Sequence, residues 1–283
     1  MDVDLRKLRY FVAVAEHLHF GRAAEELHIA QPVLSRQIRA LEGELKVSLL
    51  VRDRRSTALT PAGEQVLADA RPLLAAAEAM RRRAARAARG TDVFTVGFMP
   101  GLIVTGPVRE LARRHPGLDI EVLRTGWDDQ VDVLHDGRAD VGYVRLPVDE
   151  RGLTVRPLLS EPRVVVLPVT HRLAGKDGVD LADLAGERLL QDPAAVPEWP
   201  VRAPGQGQRS LPALRTVEEK LHHVAAGHGV VVLPLSTATF YACRDVTHLP
   251  VRGLGPNQVC LAWPADRDSA LIEEFAAIAL RNG

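Results

Sequence analysis

Apolar residues between positions 19 and 45, HFGRAAEELHIAQPVLSRQIRALEGEL, fall at helical spacing. Leu34, Ile38, Leu41 and Leu45 recur in steps of four, three and four, so they share one stripe of a helix and predict its buried face. Pro32 falls in the first turn, where its missing N–H would have had no intrahelical partner. Gln31, Ser35, Arg36 and Arg39 are left on the opposite face. Ahead of them, residues 21–28 predict a helix of two turns whose Ala23, Ala24 and Leu27 are small enough for the next helix to approach closely. A DNA-reading helix-turn-helix needs that crossing, and so does an ordinary helical hairpin in a core; periodicity alone leaves both open.

Upstream, Leu5, Leu8, Val12 and Ala15 make a helical stripe with Phe11 and Leu18 beside it, a scaffold helix across the back of the reader. Downstream, residues 49–59 predict a two-stranded wing with Arg52, Arg54 and Arg55 at its tip. These arginines suit phosphate contacts, which set register without reading sequence; a solvated charged loop is the alternative. Thr60 followed by Pro61 marks a helix start. From there Val66, Ala70, Leu73, Ala77, Met80, Ala84 and Ala87 alternate in steps of four and three, a heptad seam that predicts a helix over 61–89 paired with its copy in a second chain. Val66, Leu73 and Met80 are its candidate dimerisation residues, and a lone surface helix is the alternative.

After Gly90 the pattern becomes alternating strand and helix: strands at 93–98, 118–123 and 139–144 with helices at 102–114 and 129–136 between them, as in a parallel sheet covered by helices. A second such unit is predicted from strands at 163–168 and 230–233 and helices at 181–185 and 218–226. A strand at 259–263 leads back, and Leu271, Ile272, Phe275 and Ile278 mark a closing helix. Ligands of such sheets bind beyond the strand ends, at helix N-termini. The candidate ligand-binding residues are therefore Met99, Pro100, Gly101 and Leu102, then Trp127 and Asp128, Arg145, Gln191 beside Asp192, and Thr216 with Val217. Thr216 and Glu219 spell a capping box. Trp127 offers a flat apolar wall and Arg145 a compensating charge, unless the Trp fills a core between lobes and the Arg pairs with a neighbouring acid.

The chain is 46 % hydrophobic and 25 % charged, ordinary for a globular protein, and its 283 residues allow two domains. No apolar run approaches the roughly 20 residues of a membrane span. The N-terminus MDVDLRKLRYF lacks the apolar core of a secretory signal, so a cytoplasmic location is expected. Net charge is zero but uneven: residues 1–90 carry 16 Lys and Arg against 11 Asp and Glu, which makes this the polyanion-facing part. Cys243 and Cys260 are too few for a disulfide framework and read as reduced, packed thiols, with a redox switch as the alternative. His222, His223 and His228 lack a recognisable ligand spacing, so no metal is expected, and no cofactor. Without a GxSxG, P-loop or HExxH motif, enzyme chemistry has no anchor.

Residues 5–63 resemble the N-terminal domain of LysR-type transcriptional regulators: a first helix with Leu8, Phe11 and Ala15, then AAEELHIAQPVLSRQIRALE, then LTPAG opening a long helix. The chain departs from that pattern at Gly21 and Ala30, where the family has hydroxyl caps, and at Leu50, where it has Phe; both lost caps should weaken their helices slightly. The segments HPGLDIEV, EPRVVVLP, VTHRLAG and VAAGHGVVVLP resemble the family's effector domain, which shares its fold with periplasmic solute-binding proteins. The resemblance implies an α+β multidomain chain: an N-terminal winged helix-turn-helix over 1–60, a long linker helix over 61–90, and a C-terminal bilobed α/β effector domain of periplasmic-binding-protein type over 91–283. Lobe one would hold about 91–160 and 265–283, and lobe two about 161–264. It further implies a homodimer or homotetramer, not an enzyme, that binds double-stranded promoter DNA through Gln31, Pro32, Ser35, Arg36, Arg39, Arg52, Arg54 and Arg55. A small-molecule effector would sit between the lobes. Family members hold a carboxylate with Ser or Thr at the first two helix starts; here Gly101 with Leu102 and Trp127 with Asp128 stand there, so an aromatic or extended apolar effector fits better. The rival reading is a small-molecule-binding or dehydratase-like α/β protein with a helical N-terminal extension.

Overall fold

A computed structural model describes residues 4–52, 57–89, 92–199, 214, 216–267 and 269–282. The chain divides into two compact units near residue 90. In the first, α1 (Leu5–His17), α2 (Phe20–Glu26) and α3 (Gln31–Leu45) are followed by β1 (Leu50–Arg52), β2 (Thr57–Leu59) and α4 (Pro61–Arg89). Their common core gathers Leu8, Phe11, Val14, Ala23, Leu34, Ile38, Leu41, Leu49 and Ala70, so the predicted stripe of α3 is the buried one. On α1 the buried line runs through Leu8, Phe11 and Val14; Leu5 and Leu18, expected in or beside the stripe, are exposed at the helix ends.

The second unit holds β3 (Val93–Phe98), α5 (Thr105–Arg114), β4 (Asp119–Arg124), α6 (Asp132–His135), β5 (Val141–Arg145), β6 (Leu153–Glu161), β7 (Arg163–Pro168) and β8 (Val179–Asp180). It continues with α7 (Val217–Ala225), β9 (Val231–Pro234), α8 (Leu235–Phe240), β10 (Val246–Arg252), β11 (Asn257–Pro264) and α9 (Ala270–Asn282). One sheet has the order β4-β3-β5-β11-β6, the other β8-β10-β7-β9. In the first sheet β4, β3 and β5 are parallel, as expected, while β11 runs antiparallel to both β5 and β6. Residues 257–264, counted with lobe two in the sequence reading, are therefore a central strand of lobe one. The second lobe is not a parallel unit: β7 pairs antiparallel with both β9 and β10, and parallel pairing among the described residues is limited to the two residues of β8 on β10 and a single bridge between Leu189 and Val230. Two crossings join the lobes, after β6 and before β11.

The first two expected helix starts of this unit fall elsewhere. α5 begins at Thr105 rather than at residue 102, because Gly101 takes φ +86° and turns the chain back. The helix expected over 129–136 is a single turn beginning at Asp132, so Trp127 and Asp128 lie in the loop after β4. The helix expected at 181–185 is a 3-10 turn, Leu181–Leu184.

Candidate functional site

The reader face is built on α3. Gln31, Pro32, Arg36 and Arg39 are exposed and Ser35 is half-buried, opposite the buried Leu34, Ile38 and Leu41. Neither Arg36 nor Arg39 makes a hydrogen bond or ion pair among the described residues. Two guanidinium forks three positions apart on one exposed helix face are thus uncommitted, and a guanidinium fork is the group that binds guanine edges or phosphates bidentately. Ala30 caps α3 without a side-chain bond, as its sequence implied. The cap expected to be missing from α2 is present: His19 Nδ1 accepts from Arg22 N at 3.2 Å. A Cβ on Gly21 would sit 2.9 Å from His19 Cε1, so the glycine leaves room for this ring.

The wing pairs Leu50 with Leu59, Val51 with Ala58 and Arg52 with Thr57. Arg54 and Arg55 lie outside the described residues, as does the side chain of Arg52. Glu42, unremarked in the sequence, ties the reader helix to the wing: its Oε1 accepts from Leu49 N at 3.0 Å and Leu50 N at 3.3 Å. Thr60 accepts from Gly63 N at 2.9 Å and donates to Ser48 O at 2.7 Å, fixing where α4 leaves the wing. A Cβ on Gly63 would lie 2.1 Å from Leu49 O, a backbone atom that cannot swing aside. Gly63→Ala is therefore expected to destabilise the N-terminal unit by about 1 to 3 kcal/mol, as overpacking does, and chemical denaturation of the variant measures it.

The seam expected along α4 divides in two. Ala70 is buried in the reader core, and Val66 packs against that core with Leu67 and Leu74. Leu73 is 52 % exposed and Met80 63 %, large apolar side chains left on the free side of the helix. Ala84 is exposed with them, whereas the side chain of Ala87 lies outside those described. Val66 is thus committed within its own chain and Leu73 and Met80 are not.

The C-terminal unit encloses a cavity of about 1210 Å³ between its lobes. Met99, Pro100, Trp127, Asp128, Arg145, Gln191, Asp192, Thr216 and Val217 line it; Gly101 and Leu102 do not. Gly101 packs against α8, where a Cβ would stand 2.6 Å from Thr237 N, and Leu102 packs on the lobe-one core. Trp127 is 40 % exposed, so it is a wall of the cleft rather than core between lobes.

Arg145 is 1 % exposed, and its guanidinium is engaged by side chains of the protein itself. Its Nη1 donates to Glu161 and, at 2.7 Å, to Asn257 Oδ1; its Nη2 donates to Ser236 Oγ at 3.0 Å and Thr237 Oγ1 at 3.4 Å. Burial pulls its pKa below the usual arginine value against the opposing pull of Glu161. The guanidinium fastens the ends of β5 and β6 to the starts of α8 and β11, where the chain crosses between lobes. The capping box at α7 is present, with Thr216 Oγ1 accepting from Glu219 N at 3.2 Å and Thr216 N donating to Glu219 Oε2 at 3.1 Å. Gln191 Oε1 accepts from Val232 N at 2.9 Å. Sequence reasoning passed over Thr125 and Lys220, which also line the cavity. Their signal was faint: Thr125 lies two positions before Trp127, and Lys220 lies one position before the buried Leu221 in TVEEKL.

Among the described residues no group of three His, Cys, Asp or Glu is placed to hold a metal, although His223 Nδ1 and His228 Nδ1 share a hydrogen bond at 2.9 Å. Both cysteines are free; Cys260 is buried in β11, which pushes its thiol pKa up, and Cys243 is half-buried. Among the described residues no helix is long and apolar enough to cross a membrane.

Residues 5–64 match the family of bacterial regulatory helix-turn-helix proteins of the lysR type, and residues 91–283 match the LysR substrate binding domain. The Hca operon transcriptional activator HcaR of Escherichia coli (strain K12) is 36 % identical over 289 residues, covering 98 % of this chain and 97 % of that protein. The HTH-type transcriptional regulator BenM of Acinetobacter baylyi (strain ATCC 33305 / BD413 / ADP1) is 35 % identical over 278 residues, 94 % of this chain and 90 % of its own. Full-length CbnR in complex with its target DNA is similar at 25 % identity and a TM-score of 0.52 over 99 % of both chains. With a winged helix-turn-helix, a long linker helix and a bilobed α/β domain matched along their length, the chain belongs to the LysR family, as a DNA-binding transcriptional regulator modulated by a small-molecule effector.

Proposed function

We propose that two or four copies of the chain associate through the free side of α4 and present paired α3 helices to double-stranded promoter DNA in the cytoplasm, without catalysing a reaction. Gln31, Pro32, Ser35, Arg36 and Arg39 face base edges; Arg52, Arg54 and Arg55 of the wing hold phosphates. The observation that supports this most is the pair of uncommitted, exposed guanidinium groups of Arg36 and Arg39 on α3. The domains run over 1–60, 61–90 and 91–283, with residues 257–264 in lobe one. The effector, a small molecule with an aromatic or extended apolar body, lies against Trp127 between Met99 and Pro100 on one lobe and Gln191, Thr216 and Val217 on the other. Its occupancy changes how the paired readers engage DNA.

Selection of random duplexes by the full chain tests the reading. An enriched interrupted palindrome is expected, and no enrichment over bulk DNA rejects it. On the selected site, Arg36→Ala should reduce discrimination against a scrambled duplex by about 1 to 3 kcal/mol, the worth of a bidentate base contact. Equal losses on both duplexes across two salt concentrations would instead make Arg36 a phosphate contact.

A further inference from the structure

We infer that lobe one carries a second binding site, outside the cleft, for a multiply charged phosphate: a groove along the seam of α5 and α9 lined by Arg109, Arg113, Arg114 and Arg281. The groove holds about 460 Å³ and shares no residue with the cavity between the lobes. The two helices run in opposite directions there. Glu274, near the start of α9, accepts from Arg114 Nη1 at 3.2 Å and bonds His115 Nε2 at 2.8 Å, both at the end of α5. Arg281, near the end of α9, meets Gly106 and Arg109 near the start of α5. Arg109 and Arg113 are one turn apart on α5, so three arginines of one helix and one of its neighbour border the same space.

Among the described residues Glu110 is the one acid lining the groove. Its carboxylate accepts from Arg113 Nε at 3.1 Å, from Arg113 Nη2 at 2.9 Å and from Arg114 Nε at 2.8 Å. Those bonds hold its carboxyl at about 2, so throughout the neutral range four positive charges face one negative charge. Arg109 and Arg281 are exposed and make no hydrogen bond or ion pair among the described residues. Residues 91–283 carry 20 Lys and Arg against 25 Asp and Glu, so the excess in the groove opposes the net sign of its own unit. The helix dipole favours Arg113, Arg114 and Arg281, each in a last turn. It gives no reason for Arg109, nor for laying Arg281 beside the start of α5, where the dipole is positive. A guanidinium fork pairs bidentately with phosphate, and an anion of several charges engages two free forks at once. The volume is within the roughly 300 to 1,000 Å³ of small-ligand sites, while the charged, open walls suit a phosphate rather than an apolar body.

Isothermal titration with pyrophosphate at low ionic strength tests the site on the full chain carrying Arg36→Ala and Arg39→Ala, which removes the reader face as a rival for anions. Pyrophosphate should bind about tenfold or more tightly than orthophosphate, since a further charge-assisted bond is worth about that much. ADP at parity with pyrophosphate identifies the diphosphate as the group recognised, and tighter binding of ADP adds the nucleoside to it; both support the site. Arg109→Gln and Arg281→Gln should each weaken pyrophosphate about fivefold or more. Arg151→Gln removes the same charge from an exposed position outside the groove and should have little effect. Glu110→Gln carries the sharper expectation. It removes the negative charge of the groove and releases Arg113 and Arg114, so affinity should rise about threefold or more, a gain that a damaged fold does not produce. No binding of pyrophosphate, equal losses in Arg109→Gln and Arg151→Gln, or unchanged or lower affinity in folded Glu110→Gln would overturn the inference.

Discussion

Arg145→Ala is expected to lower the stability of the C-terminal unit by about 3 to 5 kcal/mol, the usual consequence of removing one partner from a buried ion pair. Its guanidinium is enclosed, and Glu161, almost equally buried, would keep a carboxylate whose other described contact is Ser236 N at 2.9 Å. Asn257, Ser236 and Thr237 would each lose a donor. The loss comes less from the attraction removed than from the charge stranded without solvent. Arg145→Met combined with Glu161→Gln should therefore recover much of it, since neither residue is then charged, and the two changes should be strongly non-additive. The readout is clean because Trp127, Trp199 and Trp263 all lie in the C-terminal unit, so urea unfolding followed by tryptophan fluorescence reports on it alone. A loss below about 1 kcal/mol would show that Arg145 is a surface-like pair of little worth.

The same residue shows where a sequence stops being readable. Arg145 invites a reading as a ligand's counter-charge because it ends an apolar strand, but the groups that occupy it lie from 16 to 112 positions away in the chain. No local pattern brings Glu161 and Asn257 to it; the crossing between lobes does. Local patterns carried further in the reader, where the stripe Leu34, Ile38 and Leu41 is buried as its spacing requires. Arg163–Pro168 likewise emerges as the strand its apolar run implied. β6 and β10 escaped notice because each contains a proline, Pro157 and Pro250. β6 tolerates it as the edge strand of its sheet, with a register shift against β11 at Val259 and Cys260. β10 tolerates it because β8 pairs only from Val251 onward. Antiparallel pairing in lobe two was equally hidden, since a continuous run such as RVVVLP reads the same in either direction. In the cleft, Thr125 and Lys220 are ordinary residues in the sequence; only the fold shows that, among the described residues, the Thr125 hydroxyl and the Lys220 ammonium have no hydrogen-bond partner.

Leu73→Asp should convert the associated chain to monomers and weaken binding to a two-half-site duplex by about 10²- to 10⁴-fold, the range by which linked sites exceed single ones. The division of α4 carries the argument. Ala70, Val66, Leu67 and Leu74 are used by the reader core of their own chain, whereas Leu73 and Met80 remain exposed seven positions apart, the spacing of one heptad. Solvent-exposed Leu and Met on one helix side are poorly explained within a single chain but suit close packing against a copy. An aspartate there would have to be desolvated without a partner on association, while in the monomer it would simply be hydrated. The variant should accordingly keep the melting behaviour of the N-terminal core and lose only association, which sedimentation velocity separates from unfolding. Val66→Asp makes the contrasting control: packed against the reader core, it should destabilise the N-terminal unit itself. If Leu73→Asp sediments as the parent does and binds the paired site with undiminished affinity, association does not run through this side of α4. Met80→Asp should behave as Leu73→Asp does, because both side chains would be enclosed by the same neighbouring helix.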